Sequence, residues 1–409
     1  MTFLTHTLSN GIRLIHRKID LPVSHMGMLI NAGTRDECDD EQGMAHFIEH
    51  TLFKGTQKRK AYHILNHLEN VGGEINAYTT KEETCIYASF LNPYYARTLD
   101  LLSDICFNSV FPEKEIEKEK EIIYDEINQY KDSPSDLIFD EFENLIFEGH
   151  PMGRDILGNK KCIKNFSQQK IFTFLKNNYN TDQIVISSVG QIEMAKLIKQ
   201  FEKYFGKVPS NLRTKKRTPL PVYKPKDVVV KRKNHQAHIV IGVTAYSYHD
   251  ERRTALALLN NILGGPGLNC KLNLNIREKY GFCYSIDSNY TPYLDTGVFY
   301  IYYATDNAHI ERVRKLVFTE LEKLKTNTLG DLQFKRACNQ LKGQLAIANE
   351  SKLGEMLSIG KSLMVYNKVD TLDDIYRKID TITPTDLKNI AQEIFDEKHF
   401  STLIFQNKK

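Results

Sequence analysis

The fold is decided by two consecutive stretches near the start of the chain, VSHMGMLINAGTRDE (residues 23–37) and MAHFIEHTLFKGT (residues 44–56). The first is a largely apolar run that leads into a polar segment, which is typical of a strand followed by a turn. The second has apolar residues at helical spacing and reaches a glycine, Gly55, which is typical of a helix and its end.

The same order of elements returns in the second half of the sequence. QAHIVIGVTAYSYHDE (residues 236–251) and LALLNNILGGPG (residues 256–267) again predict a strand, a polar turn and a helix that ends in glycine. A β-rich run that leads into an amphipathic helix is also repeated, at residues 84–105 and 297–318. The sequence therefore indicates a diverged duplication.

A proline-rich segment separates the two halves. Four of the twelve prolines fall in VPSNLRTKKRTPLPVYKP (residues 208–225), together with a basic cluster, Arg213, Lys215, Lys216 and Arg217. This composition is typical of a linker, and we expect the basic run to be a solvated connector. The predicted domains are residues 1–208 and 227–409, joined by a linker at 209–226.

Composition and charge restrict the kind of partner. The 409 residues include 55 basic and 51 acidic side chains, a net charge of +4, which predicts neither a nucleic-acid nor a membrane partner. No signal peptide or membrane-length apolar run is visible. The seven cysteines are widely spread without a C-x-x-C pair, which favours reduced thiols and a cytoplasmic protein.

Three polar residues of the 44–56 helix form a candidate metal site. On an α-helix, His46, Glu49 and His50 fall within an arc of about 100°, so they share one face. Two imidazoles one turn apart suit Zn²⁺, and Glu49 beside them can take a proton from a metal-bound water as general base. The aligned residues of the second half are Ala257, Asn260 and Asn261, so only the first half keeps this chemistry.

A third ligand is expected from the acidic helix in FPEKEIEKEKEIIYDEINQYKDSP (residues 111–134). Glu119, Ile122, Ile123 and Glu126 share one helix face, and the isoleucines predict that this face is buried. A buried carboxylate needs a partner, and a cation would be one. The spacing leaves Glu119 and Glu126 as equal alternatives.

These motifs carry a resemblance to a known family. HFIEHTLFKGT (residues 46–56), VGGEINAYTTKEETCIYASF (71–90) and EKEKEIIYDEINQYKDSP (117–134) resemble the pitrilysin and insulysin family of inverzincins, in particular the mitochondrial processing peptidase branch and its bacterial relatives. The resemblance implies that Glu126 is the third zinc ligand and that Glu119 is an acid behind the ligands. EGHPMGRDILG (148–158) also matches a family loop, without an assigned role.

The resemblance also extends to the second half, where IREKYGFCY (residues 276–284) supplies the Arg-x6-Tyr pair of the family as Arg277 and Tyr284. A guanidinium and a phenol are donors that can hold an oxyanion or a substrate backbone. Family architecture implies an α+β fold of two homologous domains, each an antiparallel-rich β-sheet packed with α-helices, forming half of a clamshell chamber. It implies a homodimer in which Arg277 and Tyr284 act in trans, or a heterodimer with an inactive paralogue.

Substrate contacts are expected in GGEINAYTT (residues 72–80), which resembles the edge strand beside the zinc in this family. An extended peptide adds to such a strand by main-chain pairing, and Gly73, Asn76, Ala77 and Tyr78 are the predicted contacts. The expected function is a zinc endopeptidase acting on peptides and small unfolded polypeptides in an enclosed chamber. The alternative is a non-catalytic scaffold or binding subunit of the same fold.

Overall fold

The structure is a computed structural model that describes residues 2–408 of the chain. These residues contain eleven β-strands and fourteen α-helices. The strands are β1 (Leu4–Thr7), β2 (Arg13–Lys18), β3 (Val23–Ile30), β4 (Glu74–Thr79), β5 (Thr84–Leu91), β6 (Ile184–Gly190), β7 (Asp227–Arg232), β8 (Ala237–Ala245), β9 (Cys283–Pro292), β10 (Gly297–Thr305) and β11 (Ser401–Asn407). The helices are α1 (Met44–Thr51), α2 (Ala61–Glu69), α3 (Tyr95–Phe107), α4 (Glu113–Lys131), α5 (Pro134–Ile146), α6 (Lys160–Lys164), α7 (Gln168–Asn178), α8 (Met194–Phe205), α9 (Arg253–Gly264), α10 (Ile310–Thr326), α11 (Asp331–Ala348), α12 (Lys352–Tyr366), α13 (Leu372–Asp380) and α14 (Pro384–Ile394).

The contacts divide the chain into two compact units. The first unit contains residues up to Asn128, Arg154–Pro219 and Ala348–Val369, and the second contains Gln129–Gly153, Leu220–Ile347 and the residues from Asp370 onward. Each unit thus includes one segment that is remote in sequence from the rest of it. The contiguous domains 1–208 and 227–409, with their linker 209–226, remain a prediction.

Each unit is built on one mixed, mostly antiparallel sheet with helices packed against it, so the α+β prediction is confirmed. The first sheet has the strand order β1-β2-β6-β3-β5-β4, and the second has the order β7-β11-β8-β10-β9. One parallel pair occurs in each sheet, β2 with β6 and β7 with β11. From β2 and β7 onward the two orders are equivalent, which supports the predicted duplication.

Each sheet has two edge strands, β1 and β4 in the first unit and β7 and β9 in the second, and one of them lies beside the histidines. This strand is β4, which is antiparallel to β5 with Asn76 opposite Tyr87 and Tyr78 opposite Cys85. Helix α1 packs against β4, so the edge strand and the helix with the two histidines are neighbours.

Helix α12 covers one face of the first sheet, although it comes from late in the sequence. Met356 and Ile359 of α12 join a buried cluster with Ile15 and Val185 of the sheet. Gly360 permits this close approach, because a Cβ atom there would lie 2.6 Å from the Leu29 side chain.

The basic linker is bound to the first unit through ion pairs. Arg213 and Arg217 donate to the buried Asp36 carboxylate at 2.7 and 2.8 Å, and the Arg217 side chain is only 12% exposed. The prediction of a solvated connector is therefore wrong for these two arginines, because Asp36 gives them a partner inside the fold. Their opposite charges offset the cost of burying each other.

Two further expectations concern cysteines and membrane helices. All seven cysteines are free thiols. No helix among residues 2–408 has both the length and the apolar composition required to cross a bilayer.

Candidate metal centre

Helix α1 presents the two predicted histidines and Glu49 on one side. Gly43 precedes the helix with a φ of 92°, a left-handed conformation that glycine adopts without strain. Phe47 and Ile48 are fully buried and fix the opposite side of the helix in the core. The imidazole rings of His46 and His50 are edge to face, with centroids 4.5 Å apart.

Glu126 of α4 completes a group of three potential ligands. Its Oε2 atom lies 3.9 Å from His46 Nε2 and 3.7 Å from His50 Nε2. One ligand atom from each of the three residues lies within 4.8 Å of the other two. Among the residues that the structure describes, this is the one group of three or more potential metal-ligating side chains of this kind.

The three residues fit a zinc ion. The buried Oε2 atom of Glu126 has no hydrogen-bond partner in the structure, although both imidazoles face it. Burial and the nearby His50 lower the pKa of His46 to about 3, so its ring is neutral. Neutral imidazoles and one carboxylate are a ligand set that zinc prefers, and a buried carboxylate oxygen otherwise lacks a partner.

Glu119 lies behind the three potential ligands and contacts His50. The His50 Nδ1 and Glu119 Oε1 atoms are 2.9 Å apart, and Glu119 Oε2 accepts a bond from Lys54 Nζ at 2.8 Å. Because a carboxylate only accepts, Nδ1 must carry a proton, and Nε2 is then the nitrogen on the side of Glu126. Burial opposes the charge of Glu119, but the bonds from His50 and Lys54 prevail and lower its pKa.

Helix α4 is buried only in part on the face that carries these acids. Ile123 is fully buried, whereas Ile122 is 49% exposed. The prediction that both isoleucines are buried is therefore wrong for Ile122, which lies between the two glutamates along the helix and faces solvent. Lys54 was not identified from the sequence; its position four residues after His50, opposite an acidic helix, was the available signal.

Glu49 lies on the same side of α1 but is not one of the three clustered ligands. Burial raises the pKa of its carboxyl group, and the nearby Thr79 hydroxyl acts in the opposite direction. Its buried Oε2 atom has no hydrogen-bond partner in the structure. Glu49 thus has an unpaired carboxyl oxygen on the same side of α1 as His46 and His50.

The predicted substrate residues lie at and beside the edge strand β4. Gly72 has a φ of 73° and starts the turn into the strand, and Gly73 follows it. The Ala77 N–H donates to the Asn76 side chain at 2.8 Å. The Tyr78 hydroxyl donates to Glu83 at 3.0 Å.

Arg277 and Tyr284 belong to the second unit. Arg277 lies on a π-helical turn, Asn273–Glu278, and its Nε donates to the Tyr284 carbonyl at 2.8 Å. The Tyr284 side chain is 80% exposed at the start of the edge strand β9. The spacing of seven residues therefore brings the guanidinium to the tyrosine backbone and leaves the phenol in solvent.

The helix equivalent to α1 in the second unit carries no such ligands. Helix α9 has Asn260 and Asn261 where α1 has Glu49 and His50, and Asn260 Oδ1 accepts a bond from Ser288 at 2.7 Å. Asn261 is buried in the fold. The Asn260 amide thus has a structural partner, in contrast to the orphan carboxylate oxygens of Glu49 and Glu126 in the first unit.

Comparisons with known proteins identify relatives along nearly the whole chain. The family descriptions that match are "Insulinase (Peptidase family M16)" at residues 14–160 and "Peptidase M16 inactive domain" at residues 165–341. A Bacillus subtilis protein described as an uncharacterized zinc protease, YmxG, is 31% identical over 98% of this chain and 97% of its own length. A Streptomyces coelicolor protein with a similar description is 30% identical over 96% of this chain and 87% of its own length.

Solved structures show the same fold. A protease from Helicobacter pylori superposes with a TM-score of 0.90 at 21% identity, covering 99% of both chains. A Pseudomonas fluorescens structure described as a peptidase M16 inactive domain superposes with a TM-score of 0.91 at 19% identity, covering 100% of this chain and 99% of that one. Sequence and fold together lead to one assignment: the chain belongs to peptidase family M16.

Proposed function

We propose that this chain is a zinc-dependent endopeptidase that hydrolyses peptides and small unfolded polypeptides. The observation that carries the proposal is the convergence of His46, His50 and Glu126, with Glu49 on the same side of α1 and outside this group. Relatives described as zinc proteases support the metal and the reaction class.

The residues of the centre have different roles in binding the ion. His46, His50 and Glu126 hold the ion, and Glu119 keeps the Nδ1 proton of His50 in place so that Nε2 faces inward. Zinc, when bound, supplies a Lewis acid that makes water more acidic and polarises a peptide carbonyl.

Glu49 acts as the general base. Its carboxylate takes a proton from the attacking water while the oxygen of that water bonds to the scissile carbonyl carbon. The same proton passes to the amide nitrogen as the C–N bond breaks. One water is consumed, a new carboxyl end and a new amino end are released, and Glu49 returns to its charged form.

Substrate binds as an additional strand on β4. The strand is at the sheet edge, and a peptide carbonyl can replace the Asn76 side chain as acceptor for the Ala77 N–H. Gly73 and Ala77 keep side chains small near the peptide, and Tyr78 is held by Glu83. Main-chain pairing tolerates many sequences, which supports a broad range of extended peptides rather than folded proteins.

Arg277 and Tyr284 are proposed to complete the site of a partner copy in a homodimer. The exposed phenol and the guanidinium are donors that can hold the substrate backbone or the developing oxyanion. A mixture of a Glu49→Gln chain with an Arg277→Ala chain tests this arrangement, because one intact composite site forms only if the pair acts in trans. Activity that stays absent in the mixture but returns with an inactive paralogue would instead indicate the heterodimer.

The seven free thiols support the predicted cytoplasmic location, since disulfides are rare in reducing compartments. Location itself is tested by fractionation of cells that express the chain.

Hydrolysis of a quenched fluorescent peptide library, with metal content measured on the same sample, tests the function. We expect about one zinc per chain, activity that chelator removes and zinc restores, and loss of activity in Glu49→Gln with zinc retained. The matched control is Glu193→Gln, since Glu193 is an exposed acid that pairs with Lys18. Zinc binding without hydrolysis in the wild-type homodimer would favour the scaffold alternative.

A further inference from the structure

The first turn of α1 has backbone donors that the helix itself cannot satisfy. The helix is eight residues long, and Gly43 at its start offers no side chain to cap it. The Glu37 side chain caps the helix instead. Its Oε2 atom accepts a bond from the Gly43 N–H at 3.0 Å, and its Oε1 atom accepts a bond from the Ala45 N–H at 2.9 Å. The carboxylate therefore bridges two donors on either side of the first helical residue.

Glu37 is itself held from outside the helix. The residue is 4% exposed, and Arg154 Nη1 donates to its backbone carbonyl at 2.9 Å. The loop that follows Arg154 touches the segment before α1, since a Cβ on Gly158 would lie 2.2 Å from the Gln42 carbonyl oxygen. The end of EGHPMGRDILG, a motif without an assigned role, thus braces Glu37 and the start of α1.

The two oxygens of the Glu37 carboxyl group suit its position, because each accepts one backbone N–H bond. Burial raises the pKa of this carboxyl to about 8, and the bonds from Ala45 and Gly43 with the charge of Arg154 act in the opposite direction. Because both oxygens accept N–H bonds, replacing either oxygen by a donor breaks one of the two contacts.

We propose that Glu37 is a positioning residue for the metal centre: it fixes the first turn of α1 and through it the place of His46 relative to His50 and Glu126. His46 follows Ala45 directly, so a shift of the Ala45 backbone moves the first ligand. His50 lies one turn later, where ordinary helical bonds hold it. Loss of Glu37 therefore displaces one ligand relative to the other two.

The test is the zinc affinity of Glu37→Gln, measured by competition with a chromogenic chelator. We expect the dissociation constant for zinc to rise roughly 10- to 100-fold, the usual effect of removing a group that orients a ligand. The part that concerns turnover rests on the proposed function: kcat should fall with KM little changed, because β4 is untouched.

Glu355→Gln is the matched control. Glu355 of helix α12 is 5% exposed in the same compact unit, and it is paired with Arg17 of strand β2. The same substitution there should lower the free energy of unfolding of the metal-free protein and leave the zinc dissociation constant within twofold of wild type.

The proposal is overturned if Glu37→Gln lowers stability like Glu355→Gln but binds zinc with wild-type affinity. If Glu37→Gln cannot be obtained in folded form, Glu37→Asp is the deciding variant, because it keeps a carboxyl group with two accepting oxygens and shortens the reach to the two donors. Several-fold weaker zinc binding in Glu37→Asp supports the proposal, and wild-type affinity overturns it. If wild-type protein binds zinc but hydrolyses no peptide, the proposed function fails while the affinity ratio still tests Glu37.

Discussion

Glu119→Gln should weaken zinc binding although Glu119 is not one of the three clustered ligands. The carboxylate accepts from His50 Nδ1 at 2.9 Å and from Lys54 Nζ at 2.8 Å, and its side chain is 4% exposed. Glutamine has nearly the same shape but replaces one acceptor by a donor. Either the amide NH2 faces Lys54, or it faces His50 and moves the ring proton to Nε2.

Both arrangements remove one charge-assisted bond at a buried position, which costs about 1.5–3 kcal/mol. Since about 1.4 kcal/mol corresponds to a factor of ten, the zinc dissociation constant should rise roughly 10- to 100-fold. Lys54→Met should have the smaller effect, because Glu119 still accepts from His50.

The measurement is chelator competition, with a second reading from stability. At free zinc well above both dissociation constants, the stabilisation by zinc should be smaller by about 1.4–2.7 kcal/mol in Glu119→Gln than in wild type. Glu117→Gln is the control on the same helix, because the Glu117 side chain is 70% exposed and its ion pair is with Lys120, away from His50. A dissociation constant for Glu119→Gln within twofold of the Glu117→Gln value would refute the role of Glu119 in orienting His50.

Three further outcomes are expected. Glu126→Gln should abolish zinc binding at micromolar zinc. It should change the unfolding free energy of the metal-free protein, measured by urea titration, by less than about 1 kcal/mol, because the buried Oε2 atom of Glu126 has no hydrogen-bond partner to lose. Gly360→Ala should cost about 1–3 kcal/mol in the same titration with zinc affinity unchanged, since the added Cβ would lie 2.6 Å from Leu29. Burial lowers the pKa of His16, so the unfolded chain takes up a proton at a higher pH than the folded protein does, and the free energy of unfolding falls as the pH falls below about 6.5. His16→Gln should therefore reduce the slope of unfolding free energy against pH between pH 7 and 5. An unchanged slope would contradict this role of His16.

Local pattern predicted those features that depend on neighbours in sequence. His46, Glu49 and His50 share one helix face because the helical repeat alone dictates it, and the family assignment based on these motifs is confirmed. Repeated strand and helix patterns likewise indicated two related halves. Neither prediction required knowledge of the tertiary contacts.

Features that depend on distant partners were not predictable in this way. Arg213 and Arg217 form a basic run that any sequence reading places in solvent, until Asp36 provides a buried partner. The proposed role of Glu37 was likewise not predictable from local sequence, because it depends on hydrogen bonds with Gly43, Ala45 and Arg154. One acidic residue within the acidic segment TRDECDDE (residues 34–41) carries no signal of such contacts.

The choice between Glu119 and Glu126 shows where local reasoning ends. Seven residues on an α-helix return to within about 20° of the same direction but advance about 10.5 Å along the axis, so both carboxylates face the same way at different heights. The ligand atoms of the metal group lie within 4.8 Å of one another, so one height on α4 can serve it and the other cannot. The packing of α4 beside α1 determines which axial position this is. Glu119, two turns before Glu126, instead contacts Nδ1 of His50 and the ammonium group of Lys54. Two identical side chains thus acquire two different sets of contacts from their axial positions on one helix.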